Sequence, residues 1–244
     1  MNALLRAELL KLRTTRTFVA LVGSALALSL LVVVLTALLD VGFFEADVRR
    51  LFTGDFSSLF ILLLGVIGMA GEWRHKTITS TVLAAPGRPR LLAAKMLSYA
   101  AAGVVLSLLV TVAIMAVGTL ILSSRGEQTL ALADLADVMW RNLAVAALLG
   151  AFGVCIGALV RNQIVAVVGV LVVTFALEPA VVALASDVGQ FGPTIGAPNA
   201  LQRLDAIGED GRQLAPGIAA LVMLAWVCLG FAAAAALLRR RDLV

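Results

Sequence analysis

The chain has 244 residues, of which 61% are hydrophobic and 14% charged, with a mean hydropathy of +1.05. That balance excludes an ordinary water-soluble domain, whose composition is about half apolar and a quarter charged. The pI near 9.7 does not point to nucleic acid, because the basic residues lie between apolar runs, as a positive-inside bias places them.

Residues 2–16, NALLRAELLKLRTTR, set Leu5, Leu9 and Leu12 at helical spacing among Arg6, Lys11, Arg13 and Arg16. This pattern suits a helix lying on the cytoplasmic lipid surface, leucines in the acyl boundary and cations near anionic headgroups. Apolar runs then predict six membrane-spanning helices at about 18–39, 54–71, 98–122, 142–160, 163–185 and 215–238, each near the length that a bilayer core of roughly 30 Å requires. The first holds fourteen Leu, Val and Phe and is longer than the 7–15 residues typical of a signal-peptide core. The second is short and carries Gly65, Gly68 and Gly71, which leaves it tilted, broken or packed tightly on a neighbour.

Arg161, Asn162 and Gln163 form a tight turn between the fourth and fifth runs, so an antiparallel hairpin is expected there. Residues 126–142 place Asp134, Asp137 and Arg141 on one face and predict a short outer interfacial helix feeding the fourth span. Gly153 and Gly157 make a GxxxG, a packing surface directed at a neighbour within the same subunit. Glu178, beside Pro179, falls inside the fifth run. An acid at mid-bilayer costs about 2.5 to 3.5 kcal/mol, so Glu178 is expected in a polar cavity, against a neighbouring helix or near the outer interface. The Gly- and Pro-rich residues 186–214 form an outer loop. Cys155 and Cys228 both sit inside apolar runs, where a small buried hydrophobe is a better reading than a disulfide or a zinc ligand.

One side of the six-span arrangement collects thirteen Lys and Arg with Glu8, Glu72 and Asp242, net +10; the other holds six with twelve acids, net −6. Both termini are therefore expected in the cytoplasm. HExxH, GxSxG, CxxC and GxxxxGK[ST] are all missing from the sequence, which has a single histidine. No enzyme activity, no ATP binding and no cofactor or metal are expected.

The stretch GEWRHKTITSTVLAAPGRPRLLAAKM, residues 71–96, gathers the only histidine and five of the nineteen Lys and Arg. It resembles the segment after the second span of bacterial ABC-2 type transporter permeases. The opening LLRAELLKLRTTR and the closing AAAAALLRRRDLV resemble the ends of the same proteins. The resemblance implies an all-α integral membrane fold of six transmembrane helices in one permease domain spanning 1–244, with an N-terminal interfacial helix (1–16) and short outer helices. It further implies a location in the bacterial cytoplasmic membrane and export of an unnamed cargo.

As partners it implies a separate cytoplasmic ABC ATPase subunit, a second permease subunit and membrane lipid. Carried over by position, the ATPase-coupling segment 72–97 offers Glu72, Arg74, His75, Lys76 and Thr77, then Pro86, Arg88 and Arg90, and ends near Lys95. Glu72 is the only acid of that basic segment and is expected to pair with a neighbouring cation or cap the following helix. From the residues alone, a membrane scaffold binding some other cytoplasmic protein stays open beside the permease.

Overall fold

A computed structural model describes residues 2–38, 52–53, 55–75, 77, 87–126, 129–204 and 213–240. Lys76 and Pro86 of the coupling segment, and the outer residues 40–51 and 205–212, lie outside the described residues. The elements in chain order are α1 (Asn2–Thr14), α2 (Arg16–Leu38), α3 (Ser57–Arg74), α4 (Arg88–Ser124), α5 (Leu132–Leu159) and α6 (Gln163–Val172). A π-helical turn (Val173–Leu177) leads to α7 (Glu178–Leu184), followed by α8 (Ser186–Gly189), α9 (Gly196–Gln202) and α10 (Pro216–Arg240). Six helical stretches are long and apolar enough to cross a membrane: α2, α3, α4, α5, the continuous run α6–α7, and α10. The protein is an all-α, multi-pass membrane protein.

The third span, α4, is 37 residues long, roughly 55 Å at 1.5 Å per residue, well beyond the bilayer core. Its first ten residues, Arg88–Leu97, carry the helix back past the expected edge at 98, so the coupling segment is helical at both ends. Pro89 opens α4 in its first turn, where a missing N–H costs nothing. The fourth span likewise begins earlier than expected. Residues 132–142 do not form a separate interfacial helix; they are the first turns of α5, which runs unbroken to Leu159.

The centre of the bundle is α3 and α4 packed on α5 and touching each other. Contact between these backbones depends on missing side chains. A Cβ on Gly153 would lie 2.4 Å from the Leu62 carbonyl oxygen of α3, and one on Gly150 2.5 Å from the Tyr99 carbonyl oxygen of α4. Gly157 likewise faces Val66, so the GxxxG binds an intrasubunit neighbour, and the glycine-rich second span is packed tightly rather than broken.

The Arg161–Gln163 turn is tight, and Asn162 Oδ1 accepts from the N–H groups of Ile164 and Val165 at the start of α6. The expected hairpin is loose, however: α6 leans on α3 far more than on α5. Near its middle the fifth span passes through the π turn just before Glu178–Pro179. Proline removes a backbone donor and crowds the carbonyl four residues earlier, and widening by one residue relieves both. Cys155 is buried and Cys228 exposed, both as free thiols.

Candidate functional site

At the end of the bundle carrying α1, three helix segments far apart in sequence meet on one ammonium group. Lys95, two turns into α4, is 1% exposed. Its Nζ lies 2.7 Å from Glu8 Oε2 of α1 and 2.9 Å from Glu72 Oε1 at the last turn of α3. Lys11, half-exposed one turn beyond Glu8, touches the same two acids at 3.1 and 3.3 Å. Two carboxylates and two ammonium groups thus balance, which makes burial of three of these charges, with Lys11 at the rim, tolerable. Burial pushes the Glu8 carboxyl up, but the charge and hydrogen bond of Lys95, aided by Lys11, outweigh it and hold Glu8 below its ordinary 4.5.

Tyr99, one turn further along α4, lies with its ring 5.7 Å from Lys95 Nζ and flat against Gly68. A Cβ at Gly68 would sit 1.9 Å from the Tyr99 hydroxyl, so no other residue leaves the ring in place. Leu12 enters the bundle alongside Met69, Leu92 and Met96, whereas Leu9 stays exposed. The inward face of α1 therefore runs through Glu8 and Leu12, not through all three leucines. Beside the network lies an open cleft of about 710 Å³ bordered by Glu8, Lys11, Glu72, Arg74 and Tyr99.

The other candidates divide between core and surface. Arg74, His75, Thr77 and Arg90 are exposed around the mouth of the segment, and Thr77 N–H donates to the Glu72 carbonyl. Arg74 reaches Gln163 Oε1 at 3.5 Å, and Arg161 stacks over the Trp73 ring at 5.4 Å. Arg88 donates to the carbonyls of Leu238 and Arg239, tying the start of α4 to the end of α10. Glu72 turns inward, to Lys95 of its own segment and to Lys11 of α1. Sequence reasoning named Lys11 as a surface-helix cation, Gly68 as a packing glycine and Glu8 only in the charge count, placed none of them at the coupling segment, and did not notice Tyr99. The available signal was that Glu8 and Glu72 are two of only three acids on a strongly basic side.

Glu178 lies at the opposite end of the bundle, 6% exposed, beneath the 185–202 segment. Its carboxylate accepts from Thr194 N at 3.0 and 3.1 Å and from the Thr194 hydroxyl. Gly192 leaves it room, since a Cβ there would fall 1.9 Å from Glu178 Oε1. Helix α9 is fixed to α5 at the same end. Arg141 spans Asp137 Oδ1 at 2.9 Å and the Leu201 carbonyl at 2.8 Å, while Gln202 Nε2 donates to Asn142 Oδ1 at 2.9 Å.

Nothing in the charge network resembles a nucleophile beside its base; it joins helices. No curated protein matches the chain. A family model described as ABC-2 family transporter protein matches residues 4–177, which takes in α1, the charge network, the first four spans and the fifth as far as the π turn. The chain therefore belongs to the ABC-2 transporter family, as a membrane-spanning permease component.

Proposed function

We propose that this chain is the permease subunit of an ATP-driven exporter, energised by a separate nucleotide-binding subunit that docks on the segment between α3 and α4. In this reading both termini and that segment face the cytoplasm, the chain sits in the bacterial inner membrane, and a second permease subunit completes the pathway. The observation that carries the proposal is the junction at Lys95. Both helices flanking the docking segment, and the surface helix α1, are clamped to one buried ammonium group, so a push on residues 75–87 moves α3 and α4 together with α1. The exposed Arg74, His75 and Arg90 supply the docking contacts.

The basic end of the molecule also agrees with a cytoplasmic orientation. The long exposed faces of α2, α4 and α10, including Leu31, Leu109 and Leu221, suit lipid or a second subunit. The test is co-expression and co-purification with candidate ABC nucleotide-binding subunits from the same cell, followed by ATP hydrolysis in nanodiscs. The reading expects a stable complex whose hydrolysis rate depends on the permease. A chain that folds and inserts but captures no nucleotide-binding subunit overturns it.

A further inference from the structure

At the end of the bundle opposite the charge network, a pocket of about 270 Å³ opens between the start of α3, the π turn and α9. That volume is at the small end of ligand sites and fits a headgroup with a short apolar stretch. One hydroxyl in its wall lacks the partner that burial normally demands, and one half-buried carboxylate holds hydrogen bonds but no cation among the described residues. Thr174, in the π turn, is 8% exposed, and its Oγ1 has no hydrogen-bond partner. A helical threonine ordinarily returns its hydroxyl to a carbonyl one turn back; here the widened turn is where that arrangement fails. Asp55, just ahead of α3, accepts from Ser57 N at 3.0 Å and Ser57 Oγ at 2.5 Å through Oδ1, leaving Oδ2 with only a long contact of 3.4 Å to Thr111. No cation pairs with Asp55 among the described residues.

The rest of the wall decides the ligand's chemistry. Gln202 has given its amide nitrogen to Asn142, which leaves its carbonyl oxygen, and Leu59, Leu149 and Phe175 supply apolar surface. A carboxylate without a counter-charge among the described residues, together with hydroxyl and amide oxygens, calls for a cationic donor of several N–H groups. A neutral ligand leaves Asp55 uncompensated, and an anion adds repulsion. Among the described residues no group of three His, Cys, Asp or Glu could hold a metal ion, and the apolar walls suit an organic chain instead.

We propose that this pocket binds the ammonium group of an amphiphile, with Asp55 as counter-charge, Thr174 Oγ1 as a further partner, and the hydrocarbon portion along Leu59, Leu149 and Phe175. The inference rests on the permease reading for its meaning, as a cargo site in the outer half of the pathway, but not for its test. The same ammonium chemistry is found on a free primary amine and on an ethanolamine lipid headgroup.

The test uses the full chain in nanodiscs of phosphatidylcholine and phosphatidylglycerol, labelled with three diazirine probes of equal chain length ending in an amine, an alcohol or a carboxylate. The amine probe is expected to label peptides from residues 52–62 and 173–199 saturably, with about tenfold more adduct than the alcohol or carboxylate. D55N should reduce that labelling about tenfold, and T174V about threefold. Adding phosphatidylethanolamine separates the sources: loss of amine labelling assigns the site to the lipid headgroup, and unchanged labelling to a free amine, both within the proposal. Equal labelling by all three probes, or full labelling of D55N, overturns it. Should D55N fail to give monodisperse protein, L59W, which fills the pocket, must abolish amine labelling instead. Because no nucleotide-binding subunit takes part, failure to capture that subunit leaves this result untouched.

Discussion

Lys95→Met is the most informative single change at the charge network. The side chain of Lys95 is 2% exposed, and those of Glu8 and Glu72 are 4% and 8% exposed. Methionine fills similar volume without the charge. Two carboxylate oxygens that now sit 2.7 and 2.9 Å from one nitrogen are then left within about 6 Å of each other, where like charges at an effective dielectric of ~20 repel by about 3 kcal/mol. Removing one partner of a buried ion pair typically costs about 3 to 5 kcal/mol. Lys11 offsets part of this, but it is half-exposed and worth about 1 kcal/mol at most. A net loss of about 3 kcal/mol corresponds to a fall in melting temperature of roughly 6 to 12 °C for a chain of this size. The assay is heating in detergent followed by size-exclusion chromatography of the surviving monodisperse protein. Adding Glu8→Gln to Lys95→Met removes the repulsion and should recover much of the loss. A single variant within about 2 °C of wild type, or a double variant no better than the single, refutes the reasoning.

Gly153→Leu should abolish monodisperse expression, since its Cβ meets the Leu62 carbonyl oxygen at 2.4 Å, backbone that cannot yield. Arg74→Ala, at an exposed position, should leave the melting temperature within about 1 °C of wild type while weakening retention of the nucleotide-binding subunit on an affinity column. Because the folded pKa of Glu8 lies below its ordinary 4.5, its share of stability is present above that pH and is lost as pH falls through the folded value. Wild type should therefore lose more melting temperature than Glu8→Gln on acidification from pH 6 to about pH 4. Asp55 has the opposite sign: burial, only partly offset by hydrogen bonds from Ser57 and Thr111, raises its carboxyl to about 6. Its ionisation costs stability as pH rises from 3.8 toward that value, and Asp55→Asn should melt higher than wild type near neutral pH but not below about pH 4.

The spans were legible because the bilayer demands long apolar runs, and the glycine face of α5 because close helix approach demands small residues. Hydropathy failed where a helix outlasts its membrane segment. Arg88–Leu97 reads as polar connector yet continues α4, since backbone hydrogen bonding does not stop where lipid does. Residues 132–142 read as a separate interfacial helix for the same reason, although Arg141 is used against α9 and Asp137 against Arg141 and Arg203 rather than water alone. The charge network was illegible in its pairing. Glu8 and Lys95 are 87 residues apart, and only packing of α1 across the ends of α3 and α4 brings them together. Glu72 was singled out as a lone acid, which is a local signal; that it turns inward and shares its cation with Glu8 is a tertiary fact. Glu178 was marked by its cost in lipid, but its partner Thr194, on the returning loop, has no sequence signature.

The central claim is that a separate motor drives this chain through the segment between α3 and α4. It is tested most directly by measuring ATP hydrolysis by the nucleotide-binding subunit in nanodiscs with wild-type permease, with Arg74→Ala, and without permease, alongside permease alone. Hydrolysis that needs the nucleotide-binding subunit, changes severalfold on assembly with wild-type permease and loses that response with Arg74→Ala is the predicted result. ATP hydrolysis by the permease alone, or a motor indifferent to its presence, contradicts the account.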